Sequence, residues 1–149
     1  MIDLATGEVR IPGLGVPLGP ALSRDGFLTL SPGPEVRTLV ANEPYHSFAV
    51  SVAAEPLGDS AFGVVVQFYG PKLTSISLTA ADPRFGTSWA DWSEAKEKDR
   101  LRFHDEWLAR TCGLKPGNYM WGSLHSGIDL KGGSSSIVIR YGRDQPDRG

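Results

Sequence analysis

Cysteine is almost absent from this chain of 149 residues, which contains only Cys112. A lone thiol excludes an internal disulfide framework and a zinc site built from cysteines. Long apolar runs are also missing, since no stretch approaches the roughly 20 residues that a membrane-spanning helix needs. We therefore expect no membrane segment.

The chain also lacks an excess of either positive or negative charge. The formal net charge is −2, and no block of like charges occurs. A nucleic-acid-binding protein would show a basic face, so we expect no nucleic-acid partner. Residues 1–7 lack the basic start and apolar stretch of a signal peptide, which leads us to expect a cytoplasmic protein.

The composition that remains is typical of a globular protein, with 40% apolar and 21% charged residues. The length predicts one domain covering residues 1–149. Its polar ends, residues 1–7 and 142–149, are expected to be frayed.

Strand patterns dominate both ends of the chain. Residues 47–52 alternate between apolar and polar side chains, which indicates a half-buried strand. Residues 61–69 are nearly all apolar and favour a central strand that is covered on both faces. Residues 73–79 follow Gly70 and return as the second strand of a hairpin. Further strand candidates are residues 8–11, 27–30, 36–41, 118–124 and 136–141.

One long segment, about residues 88–112, has helical spacing. Thr87 or Ser88 can cap its start, and Gly113 stands where a helix would end. The apolar stripe that would lie on the sheet consists of Leu101, Leu108 and Cys112. Strands, then one helix, then strands predict an α+β fold, with a mostly antiparallel sheet and one long amphipathic helix packed on it.

The reactive residues form no recognised catalytic motif. His46, His104 and His125 are too scattered for a metal site, which needs at least three ligands. On one helix, His104 and Cys112 would be about 12 Å apart, too far for a base and its nucleophile. We expect no metal, no cofactor and no enzyme activity. The alternative is an enzyme or small-ligand-binding protein with an unfamiliar site, in which His104 or His125 lies near a carboxylate in a deep pocket.

The tryptophans are concentrated in one third of the chain, at positions 89, 92, 107 and 121. Core packing accounts for such residues. The alternative is a surface patch facing a partner, because tryptophan and arginine are enriched at binding hot spots. Residues 131–134 form a candidate turn beside this region. The candidate partner-binding residues are Arg84, Trp89, Trp92, Arg100, Trp121, Lys131 and Ser134.

Several stretches of the chain resemble a family of small proteins of Gram-negative bacteria. They are residues 1–7, the run Asp-Pro-Arg-Phe-Gly-Thr-Ser-Trp-Ala-Asp-Trp-Ser at 82–93, His-Asp-Glu-Trp-Leu at 104–108, Trp-Gly at 121–122, and residues 131–141. Members of this family look like immunity proteins, which are encoded beside contact-dependent or type VI secreted toxins. The resemblance implies a binding protein whose partner is a cognate toxin. A homodimer joined along an exposed sheet edge is a further possibility.

Overall fold

A computed structural model of the chain describes residues 2–11, 14, 16–30, 35–51, 62–85, 89–129 and 133–142, without the side chains of Ser51, Pro83 and Trp89. The elements in these residues are α1 (Arg24–Leu28), β1 (Glu35–Asn42), β2 (Tyr45–Ser51), β3 (Phe62–Tyr69), β4 (Lys72–Ala80), 3₁₀ turns at Pro83–Phe85 and Trp89–Asp91, α2 (Glu94–Trp107) with a π-helical turn at Leu108–Cys112, β5 (Gly117–Tyr119), β6 (Gly122–Ile128) and β7 (Ser135–Tyr141).

The seven described strands form one antiparallel sheet in the order β1-β2-β3-β4-β7-β6-β5. The predicted hairpin is present as β3 and β4, and Gly70 turns between them with a φ of 59°. That conformation suits a residue without a Cβ atom. The last strand, β7, lies beside β4 in the interior of the sheet. The α+β prediction, with an antiparallel sheet and one main helix packed against it, is confirmed.

One side of the sheet carries the core. Phe62, Val64, Val66 and Phe68 of β3 are buried, whereas of the alternate residues Gly63, Gln67 and Tyr69 are exposed and Val65 is half-buried. The prediction that this strand is covered on both faces is therefore wrong. Its alternate residues point to opposite sides, and the described helices pack on the Phe62 side, through Phe27 of α1 and Trp107 of α2.

Helix α2 begins later than the sequence predicts. Ser93 is its N-cap, and the Ser93 hydroxyl accepts a hydrogen bond from Lys96 N–H at 3.1 Å. Thr87 and Ser88, the predicted caps, lie outside the described residues. The helical segment ends as predicted, because Gly113 adopts the left-handed conformation with a φ of 69°.

The buried side of α2 also differs from the predicted stripe. Leu108 is buried, but Leu101 and Cys112 are only half-buried. The buried positions of the helix include three polar residues, Glu97, Arg100 and His104. In the described part of the chain, no helix is long and apolar enough to span a membrane.

The strand predicted at residues 27–30 is wrong, because this region is the short helix α1. Ser23 caps it by accepting a hydrogen bond from Gly26 N–H at 3.0 Å. Phe27 then points into the core and lies 5.7 Å from Phe68, measured between ring centroids. A local cap and one buried aromatic ring thus outweigh the strand propensity of the segment.

The start of the chain, predicted to be frayed, is anchored at Ile2 and Gly7, which are buried, whereas residues 3–6 between them are exposed. Ile2 is 2% exposed and forms a bridge with Val9, which pairs in turn with Leu18. Tyr141 ties the segment to the last strand by donating a hydrogen bond to Gly7 O at 2.6 Å. Burial of the Tyr141 phenol, with the nearby Glu8 carboxylate, raises its pKa. Of the tail predicted to be frayed, residues 143–149 lie outside the described residues.

Candidate functional site

The side of the sheet opposite the helices is called the open face here. Its residues follow from the strand registers, which place Val40, Ser47, Gln67, Ser75 and Arg140 in one row across five neighbouring strands. A second row joins Asn42, Tyr45, Tyr69 and Lys72. Cross-strand partners project to the same side, so these residues share one surface.

A cavity of about 980 Å³ opens on this surface. Its residues from the open face are Val40, Asn42, Tyr45, Ser47, Gln67, Tyr69 and Arg140. Among the lining residues Ser47 is small and buried, whereas Tyr45, Tyr69 and Arg140 are large and exposed.

Two tyrosines form one wall of the cavity. Tyr45 and Tyr69 lie opposite each other on β2 and β3, and their rings meet edge to face, with centroids 5.4 Å apart. They are 58% and 53% exposed, respectively. More than half of the surface of each tyrosine is therefore available to a binding partner.

The cavity lining is rich in hydrogen-bond donors. Ser75 Oγ donates to Gln67 Oε1 at 2.7 Å, which uses the amide oxygen and leaves the amide NH₂ to donate elsewhere. Arg140 contributes a guanidinium group from β7. Lys72, opposite Tyr69, adds a second positive charge near the rim. Among the described lining residues there is no aspartate or glutamate.

Glu43, which lies between the lining residues Asn42 and Tyr45 in the sequence, forms ion pairs with two other side chains. Its carboxylate lies 2.9 Å from His46 Nε2 and 3.7 Å from Arg24. The hydrogen bond from His46 lowers the pKa of Glu43, and the charges of His46 and Arg24 act in the same direction. Glu43 therefore stays ionised and is engaged by these two side chains.

A second polar cluster lies inside the protein, between α2 and the sheet. Glu97 accepts hydrogen bonds from Arg100 at 2.6 Å and from Ser135 N–H at 2.8 Å. Arg100 also donates to Phe85 O at 3.1 Å. The cluster clamps the helix to β7 and to the 3₁₀ turn, and its groups are buried.

His104 belongs to the same buried layer. Its Nε2 accepts a hydrogen bond from Ala80 N–H at 2.9 Å, so the ring proton sits on Nδ1, 3.0 Å from Ser135 Oγ. The side chain is fully buried. Burial, with the nearby charge of Arg100, lowers the pKa of His104 from 6.5 to about 4. Both ring nitrogens are thus used in holding the fold together.

Cys112 has little nucleophilic character. Burial raises the pKa of its thiol, although a hydrogen bond with the backbone of Ile2 acts in the opposite direction. The thiolate is the reactive form of cysteine, so a raised pKa disfavours reaction. A group of three potential metal ligands is not found among the described residues.

The structure brings two of the predicted partner-binding elements together. Trp92 is 42% exposed, and its indole Nε1 donates a hydrogen bond to Gly133 O at 2.9 Å. The tryptophan thus lies on the turn that leads to Ser134. Lys131 and the side chain of Trp89 lie outside the described residues.

The other predicted residues lie elsewhere. Arg100 is 8% exposed and paired with Glu97, so its prediction as a surface contact is wrong. Arg84 is exposed, and its guanidinium lies 4.6 Å above the ring of Phe85. Trp121 is half-buried, and its indole donates to Leu4 O at 3.0 Å.

Trp121 is also distant from Trp92. The two lie at opposite ends of the β6–β7 hairpin, because Gly122 pairs with Tyr141 whereas Gly133 precedes β7. A strand of this length spans roughly 20 Å. The predicted tryptophan patch is therefore divided into two separate sites.

Sequence reasoning missed the residues of the open face. The signal for Tyr69 and Gln67 was the alternation within β3, which the nearly continuous apolar character of residues 61–69 obscured. Arg140 shows no such signal, because only the pairing of β7 with β4 brings it beside Ser75.

Comparison with protein-family models, with curated proteins and with solved structures finds no match for this chain. The candidate site therefore rests on its geometry alone.

Proposed function

We propose that this protein is an immunity-type binding protein, which acts in the bacterial cytoplasm and neutralises a cognate toxin by covering a surface that the toxin needs. The observation that carries the proposal is the open face, where a cavity of about 980 Å³ is bordered by two exposed tyrosines and an arginine. Tyrosine and arginine are enriched in protein–protein interfaces, and acidic residues and lysine are depleted.

The size of the open face supports this role. Strands lie about 4.8 Å apart and rise about 3.3 Å per residue, so seven strands of about seven residues cover roughly 30 by 23 Å. This corresponds to a projected area on the order of 700 Å², close to the about 800 Å² that each partner buries in a standard interface. The resemblance of residues 82–93 and 131–141 to immunity proteins points to the same class.

A second surface for the same role lies around Trp92 and Ser134. Trp92 presents an exposed ring that its hydrogen bond to Gly133 holds in place. A fixed aromatic side chain loses little conformational entropy when it binds. This surface is the rival of the open face, and substitutions on each distinguish them.

The second candidate function is the binding of a small ligand. The specific observation in its favour is the volume of the cavity, which lies within the range of about 300–1,000 Å³ typical of ligand sites. Of the histidines that an enzyme could use, His104 is buried under the other side of the sheet. His46 lines the cavity, and its Nε2 lies 2.9 Å from the Glu43 carboxylate.

Co-expression with the product of the adjacent reading frame tests the immunity role. We expect the two proteins to co-purify, and we expect cells that die from the neighbouring product alone to grow when this protein is present. If the pair does not associate and growth is not restored, the proposal is wrong. Binding of the neighbour that leaves its toxicity intact would contradict the mechanism of occlusion.

Another exposed feature is the edge strand β1. All eight of its residues are exposed, and they include Val36, Leu39 and Val40. An unpaired edge can add a strand from a second chain, so a homodimer stays a prediction. Sedimentation at several protein concentrations checks it.

A further inference from the structure

We propose that the cavity of the open face binds an acidic segment of the partner protein, with a carboxylate on Arg140 and an apolar side chain against Tyr45 and Tyr69. This inference rests on the proposed function, because the partner is the toxin. It adds the chemistry by which the toxin is recognised.

Arg140 lies in the same row of the sheet as Gln67, two strands away. It pairs with Ser75 in the register between β4 and β7, and Ser75 pairs with Gln67. Gln67 and Arg140 both line the cavity, and the register places them two strand spacings, or roughly 10 Å, apart. A carboxylate entering this space can accept hydrogen bonds from both sides.

The described lining of the cavity offers hydrogen-bond donors. The Gln67 amide oxygen accepts a hydrogen bond from Ser75, which leaves the NH₂ group as a donor for a ligand. An arginine donates only, and its planar group matches a carboxylate in two parallel hydrogen bonds. Since no acidic residue lines the cavity in the described part of the chain, the site favours a ligand that supplies acceptors and negative charge.

Two tyrosines form an aromatic wall of the cavity. Tyr45 and Tyr69 expose more than half of their surface, and Val40 adds an exposed apolar side chain. Lys72 stands next to Tyr69 and extends the positive charge along the rim. The partner segment should therefore carry acidic side chains next to an apolar one.

The site extends across five strands of the sheet. The lining residues come from β1, β2, β3, β4 and β7, which are consecutive neighbours in the sheet. Four spacings of about 4.8 Å give roughly 19 Å, the length of about six extended residues. A segment of polypeptide fills this length, whereas an isolated small acid would leave most of it empty.

Charge reversal with matched controls tests the inference in the complex. The probe is a catalytically inactive variant of the adjacent reading frame's product. We expect Arg140→Glu and Lys72→Glu each to weaken binding by about tenfold or more. The controls are Arg102→Glu and Lys98→Glu on the helix side, whose side chains are 67% and 63% exposed, and we expect changes below about twofold. Urea unfolding of each variant confirms that the fold is retained.

A peptide experiment does not depend on the toxin. The probes are a six-residue peptide that alternates glutamate and tyrosine, and the same peptide with glutamine in place of glutamate. In NMR spectra of the labelled protein, we expect the acidic peptide to shift the signals of Arg140, Gln67 and Tyr69, and we expect raised salt to reverse the shifts.

The outcomes separate the two proposals. If the wild-type protein binds the toxin and Arg140→Glu binds equally well, while Trp92→Ala does not, the interface is at the tryptophan and this inference is wrong. If the toxin does not bind at all, the proposed function fails, and the peptide experiment still decides the chemistry of the cavity. Equal shifts with both peptides, or none with either, would overturn the inference.

Discussion

Acidification should destabilise this protein through one residue, His104. The imidazole is fully buried and neutral, because Nε2 accepts a hydrogen bond from Ala80 N–H and burial lowers its pKa to about 4. In the unfolded chain the pKa returns to about 6.5. Between these two values the unfolded state binds the proton more strongly than the folded state does. The stabilisation is therefore complete above pH 6.5 and is lost as the pH falls towards 4.

The magnitude follows from the shift. Each pKa unit corresponds to about 1.4 kcal/mol, so a shift of about 2.5 units removes about 3 kcal/mol of unfolding free energy below pH 4. At pH 5 the loss is about 2 kcal/mol relative to pH 8. A loss of this size is a large fraction of the total stability of a small domain.

Urea unfolding at pH 8, 7, 6 and 5 measures the effect. The control is His104→Gln, which keeps an acceptor for Ala80 N–H and does not titrate. We expect it to be less stable than the wild type at pH 8 and to lose about 2 kcal/mol less on going to pH 5. The difference between the two proteins cancels the contributions of all other groups. If both show the same dependence on pH, the reasoning about His104 is wrong.

Other predictions concern the buried cluster, the start of the chain and the thiol. Arg100→Ala leaves the Glu97 carboxylate buried without its cation, so we expect a loss of about 3–5 kcal/mol in urea unfolding, part of which a second change of Glu97→Gln should recover. Gly7→Ala places a Cβ atom 2.4 Å from the Trp121 ring at a φ of 72°, and we expect a loss of about 1–3 kcal/mol, read as a lower Tm in calorimetry. An unchanged Tm would show that the segment does not pack on Trp121. Cys112 should react with a thiol reagent much more slowly in the folded protein than in urea, because burial raises its pKa; equal rates would contradict this.

The strands were largely predictable from the sequence. Period-2 alternation depends on which side of a strand faces the core, and this pattern is visible in residues 47–52. The hairpin of β3 and β4 was also predictable, because Gly70 separates two apolar runs. The coverage of β3 was not, since whether a helix lies on the second side depends on the whole fold.

The helix was predictable in type and end but not in its start or its buried side. Gly113 marks the end by a local rule, and Ser93 follows the same kind of rule at the start, where the Thr87 and Ser88 caps competed with it. The burial of Glu97 and Arg100 contradicts the ordinary expectation for charged residues. It depends on partners far along the chain, namely Phe85 O and Ser135 N–H.

The candidate site was predictable only in part. Trp92 and the turn before Ser134 were predicted from local composition, and the structure places them in contact. The open face required the order of strands, because Arg140 reaches the row of Gln67 only when β7 pairs with β4. The order of the strands in the sheet cannot be read from a single sequence.

The contact between Tyr141 and Gly7 joins parts of the chain that leave the ribosome at very different times. Tyr141 on β7 emerges 134 residues after Gly7. The same strand sits between β4 and β6, so neither half of the described sheet has this neighbour until residues 135–141 have been synthesised. Until then the nascent chain exposes the unpaired side of β4.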